Sequence, residues 1–131
     1  MICSSCNTVV IHANKRCICG SIPAKRADVF LATLNQLIHD EEWTAPVVII
    51  QNNVGNLHSP TLQVIAASGA DSHPLFVQQL TGYSAKGSFK LSMDVSKIMT
   101  IDKQARLVKP LGRLSKYMMN QLEHKMRELI C

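Results

Sequence analysis

The alternation of apolar and polar positions predicts several short strands followed by one helix. The strand-like stretches are 28–32, 47–50, 61–67, 75–80, 88–93 and 98–101. A loop is expected from about 35 to 45, and Asn and Gly residues in 52–56 favour a turn. Towards the end, apolar residues recur every three or four positions, at Leu114, Met118, Leu122, Met126 and Leu129. Ser115 is placed to cap this helix, whose apolar stripe we interpret as core packing. The pattern predicts a mainly β fold with a C-terminal helix (α+β), a compact barrel on which the helix packs.

The first 22 residues differ from the rest because they contain four of the five cysteines. Cys3 and Cys6 form one close pair, Cys17 and Cys19 a second, and four thiolates at such spacing can surround one Zn²⁺ tetrahedrally. A redox pair or ordinary buried cysteines are the alternatives. We expect a structural zinc knuckle over 1–22, with Cys131 and His12 not among its ligands, and a barrel domain over 23–131.

Charge is distributed unevenly along the 131 residues, whose formal net charge is +5. Residues 1–26 are basic, residues 27–85 contain no Lys or Arg, and residues 86–116 contain eight basic side chains against two acidic ones. Two basic segments favour contact with a nucleic acid, although lysines on a solvated surface would give the same composition. No apolar run reaches the roughly 18 residues that a membrane helix needs, so we expect a cytoplasmic protein.

Three stretches of the chain resemble one family of small proteins. The run from Pro46 to Thr61, PVVIIQNNVGNLHSPT, is similar to the strand–turn–strand signature of the MazF/PemK toxins. Ala27–Phe30 resembles the opening strand of that family, and 101–115 resembles its final strand and capped helix. The resemblance spans about 25–129 and leaves the cysteine segment outside it.

This resemblance implies a fold, an activity and two partners. The fold is an SH3-like small β-barrel, usually a homodimer. The activity is cleavage of single-stranded RNA without a catalytic metal, and an antitoxin protein is the inhibitor. The family's catalytic arginine falls on Ala45 and its threonine on Ser68, which keeps a hydroxyl.

The remaining candidate site residues come from charge, titration and stacking. The unperturbed pKa of histidine lies near neutrality, so His39 could exchange a proton with RNA; a solvated loop side chain is the alternative. Asp40 falls near a loop carboxylate of the family. Trp43 and Tyr83, predicted in loops, are candidates to stack on unpaired bases or to pack at the barrel edge. The predicted nucleic-acid contacts are Lys25, Arg26, Trp43, Lys97, Lys103 and Arg106.

Two functions are consistent with these residues. The first is a toxin endoribonuclease with an atypical active site, in which a cation from elsewhere replaces the missing arginine. The second is a catalytically inactive relative that binds nucleic acid or protein, because Ala45 can neither donate to phosphate nor carry charge. Ser68 and His39 favour the first, and Ala45 favours the second.

Overall fold

The computed structural model describes residues 24–35 and 42–130, which form a closed antiparallel barrel with a helix at its C-terminal end. The strands are β1 (Asp28–Asn35), β2 (Glu42–Ile49), β3 (Thr61–Ala67), β4 (Val77–Ser84), β5 (Gly87–Asp102) and β6 (Leu107–Leu114). The helices are α1 (Asn53–His58), α2 (Lys103–Arg106) and α3 (Lys116–Ile130), and a 3₁₀ turn covers Pro74–Phe76. Neighbouring strands follow the order β1-β2-β3-β5-β4-β6, with β6 closing on β1.

The predicted mainly β fold with one long C-terminal helix is confirmed. Ser115 caps α3, because its hydroxyl accepts a hydrogen bond from the backbone N–H of Met118 at 3.2 Å. The apolar stripe of α3 is core packing, with Met119 and Leu122 buried against the barrel.

Three predicted elements differ from the structure. The predicted strands 88–93 and 98–101 are one 16-residue strand, β5. The segment expected to be a turn forms α1, because the Asn52 side chain accepts a hydrogen bond from Gly55 N at 2.9 Å and caps a short helix. β2 begins at Glu42, inside the predicted loop, so Trp43 belongs to a strand; Tyr83 likewise lies in β4.

Two apolar clusters occupy opposite faces of the strands. One joins alternate residues of β1, β2 and β3, including Phe30, Val47 and Val64, with Leu107 of β6. The other uses the intervening residues, such as Val48 and Ile65, and is continuous with α3. Burial on both faces explains why the strands are rich in Val, Ile and Leu.

The Phe89 ring lies between two strands that contain glycine where a side chain would not fit. A Cβ atom on Gly82 would stand 2.5 Å from Phe89 Cζ, and one on Gly112 would stand 2.8 Å from Phe89 Cε1. The two glycines therefore make room for this ring in the second cluster.

Candidate active site

The pairing of β3 with β5 is interrupted at the end of β3. Ile65 pairs with Ile98 and Ala67 with Met93, so residues 94–97 of β5 stand opposite Ala66 alone. Such an insertion bends the strand and re-aims its side chains. Here it presents a short polar segment beside the loop that follows β3.

Ser68, the first residue after β3, is held by hydrogen bonds to the facing strand. Its backbone N–H donates to the carbonyl oxygen of Ser92 at 2.8 Å. Its Oγ lies 2.8 Å from Ser92 Oγ and 3.1 Å from the Ser92 carbonyl oxygen. Gln79 Nε2 donates to Ser92 Oγ at 3.1 Å, so the paired hydroxyls have a fixed orientation. Ser68 is half-buried and thus remains within reach of a ligand.

Lys97 brings a positive charge to the same loop. Its Nζ lies 3.0 Å from Asp71 Oδ1 and 6.0 Å from the centre of the Trp43 ring. A Cβ on Gly69 would stand 3.4 Å from this Nζ, so the ammonium lies close to the backbone next to Ser68. The hydrogen bond from Lys97 is the main reason that the pKa of Asp71 lies below its ordinary value.

Asp94 is a buried carboxylate, 2% exposed, within the inserted segment. Its Oδ1 accepts hydrogen bonds from Ser96 N at 2.9 Å and Ser96 Oγ at 2.5 Å. Burial alone would raise the pKa of Asp94, but hydrogen bonds from Ser96 and Ser72 and the charge of Lys97 outweigh it and hold the pKa below its ordinary value. This carboxylate is therefore ionised at neutral pH, and it fixes the shape of the segment that carries Lys97.

A groove of about 610 Å³ runs from Lys97 along β5 to α2. Two cations, Lys97 and Arg106, face it together with hydroxyl groups of Thr33 and Thr100. The remaining lining residues are Leu34, Ser96, Ile98, Met99, Ile101 and Asp102. Cations spaced along an elongated groove suit a negatively charged chain.

The other predicted cations lie elsewhere. Lys25, Tyr83 and Arg113 line a second cavity of about 430 Å³, and Tyr83 is 49% exposed there. Among the described residues, none lines both this cavity and the groove. Burial is the main cause that raises the pKa of Asp28 at this cavity, opposed by its hydrogen bond from the Lys25 backbone and by Arg113. Arg26 is engaged in structural contacts, because it donates to the carbonyl oxygen of Ile50 and pairs with Glu123 of α3.

One predicted contact needs correction, and a second position shows the packing that was its stated alternative. Lys103 is only 1% exposed and its Nζ donates to the carbonyl oxygen of Asn56, so we remove it from the surface that could contact nucleic acid. Trp43 is half-buried and its ring packs on the first apolar cluster, which gives it a packing role beside its contact with Lys97. Its Nε1 is buried, with no hydrogen-bond partner in the described part of the chain.

Ala45 is 5% exposed and pairs with Ala32 inside the barrel wall. His39, Asp40 and the four N-terminal cysteines lie outside the described residues. Within 24–35 and 42–130, no three His, Cys, Asp or Glu side chains are grouped so that they could hold a metal ion. No helix in those ranges is long and apolar enough to cross a membrane.

Sequence reasoning found Ser68 and Lys97 but not the residues that complete the site. Ser92, Asp71 and Asp94 became visible only when the register of β5 was known. The one available signal was the gap between the two predicted strands at 94–97. The alternation itself does not mark the insertion, because apolar residues fall at 89, 91 and 93 before it and at 99 and 101 after it.

Comparison with known proteins gives consistent results. Residues 25–130 match the family of PemK-like, MazF-like toxins of type II toxin–antitoxin systems. The endoribonuclease MazF of Staphylococcus saprophyticus subsp. saprophyticus is 34% identical over 105 residues, covering 76% of this chain and 85% of that protein.

Two solved structures resemble the barrel. An endoribonuclease from a mycobacterial species, in complex with its cognate antitoxin, has a TM-score of 0.61 at 18% identity, over 80% of this chain and 92% of that one. A MazE–MazF crystal structure from Deinococcus radiodurans has a TM-score of 0.52 at 13% identity, over 82% and 94%. At these identities the likeness is one of fold. The family match covers most of the chain and the sequence relative is well aligned, so this chain belongs to the MazF/PemK-like endoribonuclease toxins of type II toxin–antitoxin systems.

Proposed function

We propose that this protein is a toxin that cleaves single-stranded RNA without a catalytic metal, using an active site in which position 45 contributes no charge. The observation that carries the proposal is the fixed Ser68 hydroxyl with the Lys97 ammonium beside the next residue. Lys97 in turn lines a groove that also contains Arg106. Family membership supports the reaction class.

The reaction requires the RNA to supply its own nucleophile. The 2′-oxygen attacks the adjacent phosphorus and loses its proton, and the bond from phosphorus to the 5′-oxygen breaks. The leaving oxygen gains a proton, so the products are a 2′,3′-cyclic phosphate and a 5′-hydroxyl. The protein must place the phosphate, stabilise the added negative charge and exchange two protons.

Ser68 is suited to accept a hydrogen bond from the ribose 2′-hydroxyl, because its own O–H is donated to Ser92 and this orients its Oγ. His39 and Asp40 are the predicted proton-transfer groups. Along the chain they fall between β1 and β2, the strands that carry Thr33, at the groove, and Trp43, near Lys97.

An antitoxin partner and a homodimer belong to the same proposal. The similar mycobacterial structure is of an endoribonuclease in complex with its antitoxin, and the Deinococcus structure pairs MazE with MazF. Likeness of fold makes a comparable complex our expectation for this chain.

A binding module without cleavage is the second candidate, and Ala45 is the observation that favours it. Position 45 is 5% exposed within the barrel wall, and its alanine offers no charge to a phosphate. In this alternative the groove still binds RNA through Lys97 and Arg106, but no bond is cut.

Cleavage of a long single-stranded RNA in EDTA separates the two candidates. We expect discrete cuts by the purified protein, lost in Ser68→Ala and retained in Ser88→Ala, which removes an exposed serine hydroxyl from the opposite end of β5. Circular dichroism establishes that both variants fold. Intact RNA with folded wild-type protein would reject the ribonuclease and leave the binding module.

A further inference from the structure

The proposed ribonuclease lacks a cation at position 45, and the barrel brings another one to the same region. Trp43 and Ala45 are two residues apart in β2, so their side chains project from the same face of that strand. Lys97 reaches this face from β5, with its Nζ 6.0 Å from the centre of the Trp43 ring. The charge that is absent from β2 is therefore present on β5, a different strand.

On its other side, the Lys97 ammonium lies beside the loop that begins with Ser68. The distance from Nζ to a Cβ built on Gly69 is 3.4 Å, and the same point is 3.0 Å from Asp71 Oδ1. The ammonium is thus near both the Trp43 ring and the backbone next to the Ser68 hydroxyl. A phosphate adjoining a ribose bound at Ser68 would be within reach of this charge.

Asp71 occupies Lys97 with a contact that a phosphate can replace. The carboxylate is 78% exposed, whereas the Lys97 side chain is 21% exposed, so the cation is held in place and its partner is on the surface. An exposed ion pair contributes little to stability, and a phosphate of RNA offers the ammonium the same type of acceptor with a similar charge.

Resting on the proposed function, we propose that Lys97 is the cation that binds the phosphate at the RNA bond to be cut, in place of an arginine at position 45, and that Asp71 holds the ammonium there until the phosphate displaces it. Lys97 then stabilises the charge that builds on the phosphate oxygens as the 2′-oxygen adds. Asp71 therefore competes with RNA for Lys97 and lowers the affinity of the protein for RNA.

The tryptophan beside Lys97 supplies a binding assay that does not depend on cleavage. Trp43 is the single tryptophan of the chain, so its fluorescence reports on this site. The probe is a random-sequence pool of 2′-O-methyl RNA, which cannot undergo attack by the 2′-oxygen. We expect a saturable change in emission for the wild type. In Lys97→Met, the slope of log K against log salt concentration should be smaller by about 0.7, which corresponds to one lost phosphate contact on a single strand.

Three variants make the assignment specific. Lys90→Met removes the same charge from an exposed position of β5 at the far side of Ser92, so it should leave the titration unchanged. Lys97→Arg should retain most of the binding because the charge persists. Asp71→Asn should bind the pool more tightly, and this gain should vanish when Asp71→Asn is combined with Lys97→Met.

The outcomes separate this inference from the proposed function. If the wild type cleaves RNA, we expect Lys97→Met to lower kcat on the order of 10²-fold, while Lys97→Arg retains substantial activity and Lys90→Met full activity. Equal kcat in Lys97→Met and wild type would overturn the inference and leave the ribonuclease intact. If the wild type does not cleave, the proposed function fails, and the fluorescence titration still decides about Lys97. Unchanged affinity and salt slope in Lys97→Met, or no response of Trp43 in the wild type, would overturn the inference.

Discussion

Replacing Lys103 by methionine should lower the stability of the protein without weakening its contact with RNA. Lys103 is 1% exposed at the start of α2, and its Nζ donates to the carbonyl oxygen of Asn56, which is also 1% exposed. Its backbone N–H donates to the carbonyl oxygen of Pro60 at 2.9 Å. The residue therefore fastens α2 to the connection between α1 and β3. Methionine keeps much of the apolar stem and removes the charged donor.

The expected loss follows from the lost hydrogen bond. Bonds that involve a charged group contribute about 1.5–3 kcal/mol, and removing the donor leaves a buried carbonyl group with fewer partners. Part of this loss is offset because the variant no longer buries an ammonium group. We expect a decrease of about 2 kcal/mol in the free energy of unfolding, which corresponds to roughly 8 °C in Tm for a domain of this size.

Urea denaturation measures this change directly. The midpoint should fall while the m-value stays constant, since the same surface is exposed on unfolding. Lys109→Met is the matched control, because Lys109 is an exposed lysine of β6. The reasoning is refuted if Lys103→Met keeps the wild-type midpoint but reduces the salt slope of RNA binding, since Lys103 would then contact phosphate.

Three further predictions test the site, the barrel and the N-terminal segment. Asp94→Asn should cost about 1–3 kcal/mol at pH 7 through weakened hydrogen bonds. The pKa of Asp94 lies below its unfolded value of 3.8, so the stabilisation from its charge is complete above that pH and is lost as pH falls through the folded pKa. A difference in stability between wild type and Asp94→Asn that stays constant through acid unfolding would contradict this. Gly82→Ala should lower the free energy of unfolding, measured in urea, by about 1–3 kcal/mol, because its Cβ would stand 2.5 Å from Phe89 Cζ. Adding Phe89→Leu should recover part of that loss, and strictly additive effects would count against the steric cause. The four N-terminal cysteines, which we propose as a zinc knuckle, should hold a single zinc ion per chain; metal analysis that finds the same zinc content after all four are changed to serine would exclude them as ligands.

Elements whose residues interact locally could be predicted from the sequence. The C-terminal helix is an example, because its apolar residues repeat at helical spacing and Ser115 caps its first turn. The strand 61–67 was predicted with its observed bounds. Ser68 followed from the family resemblance and stays a predicted catalytic residue; the structure places it directly after β3, hydrogen-bonded to Ser92.

Features that depend on strand register could not be predicted. The insertion of 94–97 into β5 is set by how β3, β4 and β5 pair, and these partners are distant in sequence. A one-residue change of register reverses the face of every side chain in a strand. The contacts of Lys97 with Asp71 and Trp43 could therefore not be predicted from the sequence. Burial of Lys103 was missed for a related reason, since a lysine in a basic segment is usually solvated.

A role in catalysis and a role in RNA binding alone make different demands on Lys97, and this difference shows which of the two roles the side chain has. A cation that contacts the phosphate equally in the bound RNA and in the transition state raises affinity but leaves kcat unchanged. A cation in a fixed position accelerates the reaction only if it meets the charge that develops on the phosphate oxygens. The Lys97 side chain is mostly buried and pairs with Asp71, which favours a fixed position over a mobile surface contact. If the charge on β5 takes the catalytic role of the arginine that β2 lacks, Lys97→Met should therefore lower kcat and not affinity alone. A fall in affinity with unchanged kcat would mean that the charge on β5 serves RNA binding alone.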